Sequence, residues 1–267
     1  MDKDKIKEFY SNEMEKDRLE QELFKLEGIR TKEIISRFLA KTPMIIGGGA
    51  GFYAFCLQAA GHHVSLIDLS PKNIELANDY SQKTGIQLTN CRTGDATNLD
   101  IADEQFDMVL LLGPLYHLIN KEERIKALSE AKRILKPGGF VLSAVISRYA
   151  SLFDGFKRGL VADDRFEKIL INDLNTGIHL NETENPDYFT TAYFHTPAEI
   201  KQEVIESGLQ LKELIAMESF GWIIENFKER SEDKAYMEKL YKVLNIVETN
   251  DDLMAMSPHI IVVAQKR

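Results

Sequence analysis

The segment Met44-Ile45-Ile46, followed at once by Gly47-Gly48-Gly49-Ala50-Gly51, constrains this chain more than any other. A short apolar run reads as a buried strand, and glycines let the backbone turn sharply and approach a ligand closely. Phe52 to Ala60 then reads as a helix, stopped by Gly61. Strand, glycine turn and helix together make a nucleotide-cofactor site, because a helix N-terminus offers unpaired N–H groups. His63 to Ile67 is expected as a second strand ending at Asp68, which lies 19 residues after Gly49. A carboxylate there accepts the ribose hydroxyl hydrogens, at about the 20-residue separation of dinucleotide folds.

The same rhythm continues. Ser70-Pro71 opens a helix, with serine as N-cap and proline at the first helical position, running to Thr84 and stopped by Gly85. Gln87 to Arg92 is a third strand, ending at Gly94-Asp95. Phe106 to Leu112 is a fourth, apolar enough to be covered on both faces. Residues 96–105 are too polar for a full helix between them. Asn120 caps a helix that ends at Leu135-Lys136-Pro137-Gly138-Gly139, and Phe140 to Ile146 is a fifth strand. Such alternation predicts an α/β fold, a doubly wound and mostly parallel sheet of seven strands. Residues 1–40 read as N-terminal helices with a break at Gly28. Residues 147–195 interrupt the pattern with an aromatic-rich insertion. Thr196-Pro197-Ala198-Glu199 is a capping box that restarts a helix up to Gly208. Leu209 to Met217 and Ile260 to Ala264 are the last strands, flanking helix around 222–248. The chain is expected to form one domain over 1–267: a helical cover (1–40), a cofactor-binding core (41–146), a lid (147–195) and the remainder of the sheet (196–267).

Two cofactor patterns overlap in the loop. Gly49-Ala50-Gly51-Phe52-Tyr53-Ala54 fits the G-x-G-x-x-A of NAD(P) sites, while Gly47 to Gly51 fits the G-x-G-x-G of methyltransferases. The remaining motifs separate them. In order, Met44 to Gly51, Leu66-Ile67-Asp68-Leu69-Ser70, Gly94-Asp95-Ala96, Phe106 to Leu110 and Leu135 to Gly139 resemble the class I S-adenosylmethionine-dependent methyltransferases. The resemblance implies a Rossmann-like fold, S-adenosyl-L-methionine as cofactor and S-adenosyl-L-homocysteine as product. It implies that Gly47, Gly48, Gly49 and Gly51 cradle the cofactor, that Asp68 with Leu69 holds the ribose, and that Asp95 and Ala96 meet the adenine. Leu112 stands at the fourth-strand tip facing the methyl group, and Tyr10 is expected to come near from the N-terminal cover. One position departs: where many members carry Asp or Glu near the methionine amino group, this chain has Ile45. A non-catalytic cofactor-binding protein is therefore a rival reading beside an NAD(P)-dependent oxidoreductase.

Methyl transfer needs a base only when the accepting group must lose a proton early. The fourth-strand tip, Leu112-Gly113-Pro114-Leu115-Tyr116-His117, offers His117 as that base with Tyr116 orienting the substrate. His195 is the second candidate. His62, His63, His179 and His259 lie outside any such context. Arg148, Tyr149 and Tyr193 are placed to line the substrate pocket. The aromatic residues of the insertion suit a lid over an apolar or aromatic small molecule, or equally the core of a helical subdomain. No His, Cys or Asp set has ligand spacing, so no metal is expected.

The net charge of −9 disfavours phosphate backbones and anionic membranes as partners, so RNA methylation is set behind small-molecule methylation. No apolar run reaches the about 20 residues that cross a bilayer. The N-terminus is charged, without a secretory signal. Cys56 and Cys91 lie in apolar segments and are expected to be buried and reduced, in a cytoplasmic setting.

Overall fold

Four-residue strands can carry the middle of a sheet only where helices cover both faces. The computed structural model, which describes residues 22–39, 43–183 and 185–267, has this construction. Strands β1 (Pro43–Ile46) and β2 (Ser65–Asp68) are buried along their whole length. The last four residues of β4 (Phe106–Leu111) are also buried. With β3 (Asn90–Thr93) and β5 (Leu135–Ser147) they pair in parallel in the order β3-β2-β1-β4-β5. β9 (His259–Gln265) then runs antiparallel to β5, from Phe140↔Gln265 to Ile146↔His259, and β8 (Gln210–Ala216) runs antiparallel to β9.

These seven strands are the expected sheet, but two more join it. β7 (Ala192–His195) pairs in parallel with the end of β5, at Ile146↔Phe194 and Ser147↔His195, and β6 (Ile178–His179) pairs with β7. Among the described residues the sheet therefore has nine strands rather than seven. The reason is length. β4 last pairs with β5 at Leu111↔Ser143, so β5 outruns it, and the insertion supplies a strand to the edge that β4 leaves.

Side-chain alternation divides the sheet between two cores. Met44, Ile46, Val109, Leu111, Val141 and Val145 pack on α5 (Lys121–Ile134) and α8 (Pro197–Glu206). Ile45, Leu66, Met108, Leu110 and Leu142 face α1 (Glu22–Phe38), α2 (Phe52–Ala59) and α3 (Pro71–Thr84). The expected caps form: Ser70 accepts from the Asn73 N–H, Asn120 from those of Glu122 and Glu123, and Thr196 and Glu199 close their capping box. Gly28 does not break the first helix. α1 runs through it, because buried Leu26, Thr31, Ile34 and Ile35 hold one face of the helix down, outweighing glycine's penalty of about 1 kcal/mol. Tyr10 lies outside the described residues. The 222–248 region is not one helix but a 3₁₀ turn (Ser219–Ile223), α9 (Phe227–Arg230) and α10 (Lys234–Val247). Cys56 is exposed and Cys91 half-buried, both as free thiols, because α2 buries Ala54 and Phe55 and turns Cys56 outward.

The insertion builds its own core from Phe166, Ile169, Leu170 and Tyr188, on α6 (Ala150–Arg158), α7 (Asp164–Thr176) and the turn after β6. Its aromatic residues therefore divide: Phe166, Tyr188 and Phe194 are core, whereas Phe156 is exposed.

α5 and α8 are joined by a buried ion pair, Arg124 to Glu203 at 2.7 Å, each side chain 2% exposed. Replacing one partner leaves the other buried and uncompensated. Arg124→Leu should lower unfolding free energy by about 3–5 kcal/mol in urea titrations, and adding Glu203→Leu should recover much of that loss.

Candidate functional site

The carboxyl ends of β1, β2 and β4 meet at the glycine loop. A Cβ on Gly47 would lie 2.4 Å from the Pro114 ring, so glycine is what lets the β4 tip close on the loop. Gly49 differs. Its φ is +57° and a Cβ there would meet nothing within 4 Å, so the space beside it is open. Its N–H donates to Asp68 at 2.9 Å, across the pair of residues the sequence matched. Gly48 and Gly51 pack on Leu66 in the same turn.

Asp68 is 7% exposed and accepts also from the Ser70 N–H at 2.8 Å and the Asn73 amide at 3.1 Å. Burial pushes its carboxyl upward, and these three hydrogen bonds oppose the shift. Three acceptor directions of about four are occupied, leaving one for a ligand hydroxyl. Leu69 beside it is half-buried. The Gly94 N–H donates to the Asp68 carbonyl, which brings Asp95 and buried Ala96 to the same edge. Asp95 is fixed by the Thr97 N–H and hydroxyl, each at 2.9 Å. Leu112 donates to the Ile46 carbonyl, and its own carbonyl accepts from the Tyr116 hydroxyl at 3.1 Å. Ile45 is fully buried in the core and offers nothing to an ammonium group. An open glycine cradle, an immobilised ribose-type carboxylate and a buried adenine-type turn together fit S-adenosylmethionine.

His117 ends the short helix α4 (Pro114–His117). Burial lowers its pKa to about 4, against a hydrogen bond to the Thr191 backbone. It is thus a neutral imidazole at neutral pH. Its ring meets Tyr116 edge-on at 4.6 Å and stacks on Phe189 at 6.2 Å.

Three predicted site residues lie in one largely buried network. The Arg148 guanidinium donates to the Phe194 carbonyl and to both Glu199 oxygens. Tyr193 donates to Glu199 at 3.1 Å under the Arg124 guanidinium, 3.7 Å from the ring centre. His195 is fully buried with Nε2 3.2 Å from Glu203. Burial holds its pKa down against the pull of Glu203. These groups tie β7 to α5 and α8. Tyr149, at the start of α6, is half-buried.

A further cluster, invisible to spacing along the chain, gathers Glu27, Glu218 and His259, with one oxygen or nitrogen of each within 4.8 Å of the others. Its members come from α1, the turn after β8 and the first residue of β9.

Residues 44–143 match the family model described as a methyltransferase domain. The chain is 29% identical over 177 residues to a ubiquinone biosynthesis O-methyltransferase of Azoarcus sp. (strain BH72), covering 66% of this chain and 67% of that one. It is 32% identical over 109 residues to the protein of that name from Maricaulis maris (strain MCS10), covering 40% of this chain and 41% of that one. A solved S-adenosylmethionine-dependent methyltransferase from Methanosarcina mazei aligns with TM-score 0.59 at 18% identity, over 87% of this chain and 96% of that one. A Thermotoga maritima structure described as a possible histamine N-methyltransferase aligns at 0.58 and 16%, over 97% and 98%. Residues 44–143 form a methyltransferase domain, and the chain resembles the class I S-adenosylmethionine-dependent methyltransferases in sequence and fold. It is an enzyme that methylates a small molecule and releases S-adenosylhomocysteine, and nothing among these relatives favours the oxidoreductase or non-catalytic readings. No helix among the described residues is long and apolar enough to cross a membrane.

Three outcomes are expected. Asp68→Ala should weaken S-adenosylmethionine binding by about 1.5–3 kcal/mol in calorimetry, the range for hydrogen bonds to a charged group. Gly49→Ala should cost folding only about 1 kcal/mol, for a side chain at positive φ, yet reduce cofactor affinity more than tenfold by filling the open space. Between pH 6.5 and 4 the unfolded chain takes up a proton at His117 and the folded one does not. That contribution to stability is therefore complete above pH 6.5 and falls by about 3 kcal/mol as the pH drops to 4. Urea titrations across this range should show the slope, and His117→Gln should flatten it.

Proposed function

We propose that the methyl acceptor is a hydroxyl oxygen on a small apolar or aromatic molecule, bound between the β4 tip and the insertion. The observation that carries this reading is the apolar cluster that joins them. Tyr116, Ile146, Ala150, Phe189, Ala192 and Phe194 pack together beside the open glycine loop, with His117 stacked on Phe189. The two curated relatives described above are named as ubiquinone biosynthesis O-methyltransferases, which supports an oxygen acceptor. This chain spans 67% of one and 41% of the other, so acceptor identity is inferred from the site.

In this reading the 1–267 chain acts as one domain in a reducing cytoplasm, where free Cys56 and Cys91 persist. S-adenosylmethionine supplies a methyl group on a sulfonium, an excellent leaving group. The chain's own work is to align the acceptor and exclude water. Gly47, Gly48, Gly49 and Gly51 admit the cofactor closely, Asp68 with Leu69 holds the ribose, and Asp95 with Ala96 bounds the adenine. Leu112 and Tyr116 shape the floor under the reacting centre. Neutral His117 and Phe189 give the acceptor ring a flat wall, and Tyr149 borders it from α6. Arg148, Tyr193 and His195 act indirectly, by fixing β7 and hence the base of the insertion.

The test is direct. The full chain is incubated with labelled S-adenosylmethionine and a panel of phenols, catechols, aliphatic amines and thiols, and products are identified by mass. Methylation of ring hydroxyls in preference to amines and thiols is expected, and transfer confined to nitrogen or sulfur would refute the oxygen acceptor. Phe189→Ala should raise the acceptor KM about tenfold, near the 1.4 kcal/mol of one lost apolar wall, while the cofactor Kd stays within twofold.

A further inference from the structure

Phe189 holds a backbone conformation that is essentially reserved for glycine. Its φ is +65° and its ψ 178°, a combination that crowds a side chain against its own backbone. A glycine there would fold without that cost, yet the chain carries an aromatic residue. Such strain persists where the surroundings over-determine it, and it clusters at active sites and ligand clamps.

Two side chains hold the strained residue, one on each carbonyl beside it. His179 Nε2 lies 2.6 Å from the Tyr188 carbonyl, and the Asn181 amide donates to the Phe189 carbonyl at 2.7 Å. Asn181 is itself fixed. Its amide also donates to the Asn185 carbonyl at 2.9 Å, and its oxygen accepts from the Thr183 N–H and hydroxyl. His179 is fixed by Asp173 of α7, 2.8 Å from Nδ1, and that carboxylate accepts from the Ser151 hydroxyl of α6 at 2.6 Å. Asp173 and His179 are buried, and the His179 ring stacks on Phe194 of β7 at 4.8 Å. Both ring nitrogens are engaged, so His179 does not serve as a base. On its other side the strained turn reaches the β4 tip. The Phe189 ring stacks on that of His117, and the Thr191 backbone, two residues on, is hydrogen-bonded to His117.

We propose that His179 and Asn181 are positioning residues for the acceptor site, acting through the strained Phe189 backbone to hold its side chain at the β4 tip. The proposal rests on the acceptor location given above, between that tip and the insertion, and not on the accepting atom. The hold is on the backbone, so it acts whatever else the ring touches. With both carbonyls captured, the peptide planes on either side of Phe189 are fixed. Released, Phe189 relaxes to negative φ and its side chain swings from His117. The acceptor wall is then lost with no change at the glycine loop. Asp173 and Ser151 extend the hold to α7 and α6, so the core of the insertion and the acceptor wall move as one unit.

The experiment measures KM and kcat on catechol and on benzylamine, with every variant made as the full chain. Asn181→Asp keeps the oxygen that Thr183 uses and loses only the donor to the two carbonyls. His179→Asn keeps a donor for Asp173 and loses the one at Tyr188. Each should raise the acceptor KM about tenfold, the scale of one lost hydrogen-bonded constraint. The kcat and the S-adenosylmethionine Kd should stay within about threefold. In a Phe189→Gly background no strain is left to hold and no side chain to place. There each substitution should raise KM by less than about twofold more. An equal KM rise in both backgrounds overturns the proposal, as does a wild-type KM in Asn181→Asp. Cofactor affinity lost in step with acceptor affinity overturns it too, because a merely structural role spreads to both. Should Asn181→Asp fail to fold, Asn181→Ala in the two backgrounds decides by the same comparison. Phe189→Gly with a wild-type KM refutes the acceptor location, and the positioning with it. A KM rise in Phe189→Gly that Asn181→Asp does not share refutes the positioning alone. Turnover of benzylamine but not catechol refutes the hydroxyl acceptor, and the KM comparison on benzylamine still decides the positioning.

Discussion

Strand β5 must satisfy its backbone hydrogen-bonding groups along thirteen residues, and much of the molecule is arranged to meet that demand. β4 covers one edge as far as Ser143, β9 covers the other as far as Ile146, and β7 takes over where β4 stops. Because β7 belongs to the insertion, the insertion is anchored to the sheet by main-chain pairing and not only by side chains. Its two helices then sit beyond the carboxyl end of β5. The same register brings His259 and the Glu218 turn to the carboxyl edge, opposite the glycine loop.

Charge in and at the edge of the core is handled in separate groups, each with a mechanical consequence. Arg124, Glu203 and His195 join two helices to β7, and Arg148 with Glu199 and Tyr193 extends that tie. Arg30 and Arg37 hold α1 to Glu248 at the far end of α10. Such pairs contribute modestly to net stability, since desolvation offsets attraction, but breaking one leaves an unpaired charge inside the protein. They therefore lock the relative positions of α1, the insertion and the C-terminal strands. The cofactor side relies instead on close backbone approach at Gly47 and on hydrogen bonds to Asp68.

The glycine loop and the strand ends beside it were legible because their geometry is local. Gly47 to Gly51, Asp68 and Gly94 to Ala96 each sit at the end of a strand, so a linear motif also describes a spatial position. Arg148 and Tyr193 were read as lining residues from their place after the fifth strand, and His195 as a second candidate base. Their partners are distant in the chain: Phe194 and Glu199 lie 46 and 51 residues from Arg148, and Glu203 lies 8 from His195. His259 carried no linear signal at all. Its carboxylate partner is 41 residues distant in the chain, and only the antiparallel return of β9 brings the two together.

Periodicity and punctuation in the sequence determined the α/β alternation, the helix caps at Ser70, Asn120 and Thr196, and the cofactor loop, because each depends on residues within one or two turns of one another. Tertiary structure decided what depends on distant partners. It carried α1 unbroken through Gly28, since packing against the sheet outweighs the cost of a glycine. It added two strands to the sheet, since an outrun edge needs a partner. It buried His117 and His195, and it set His259 beside Glu218, because burial and charge pairing are properties of the packed chain, to which no stretch of sequence has access.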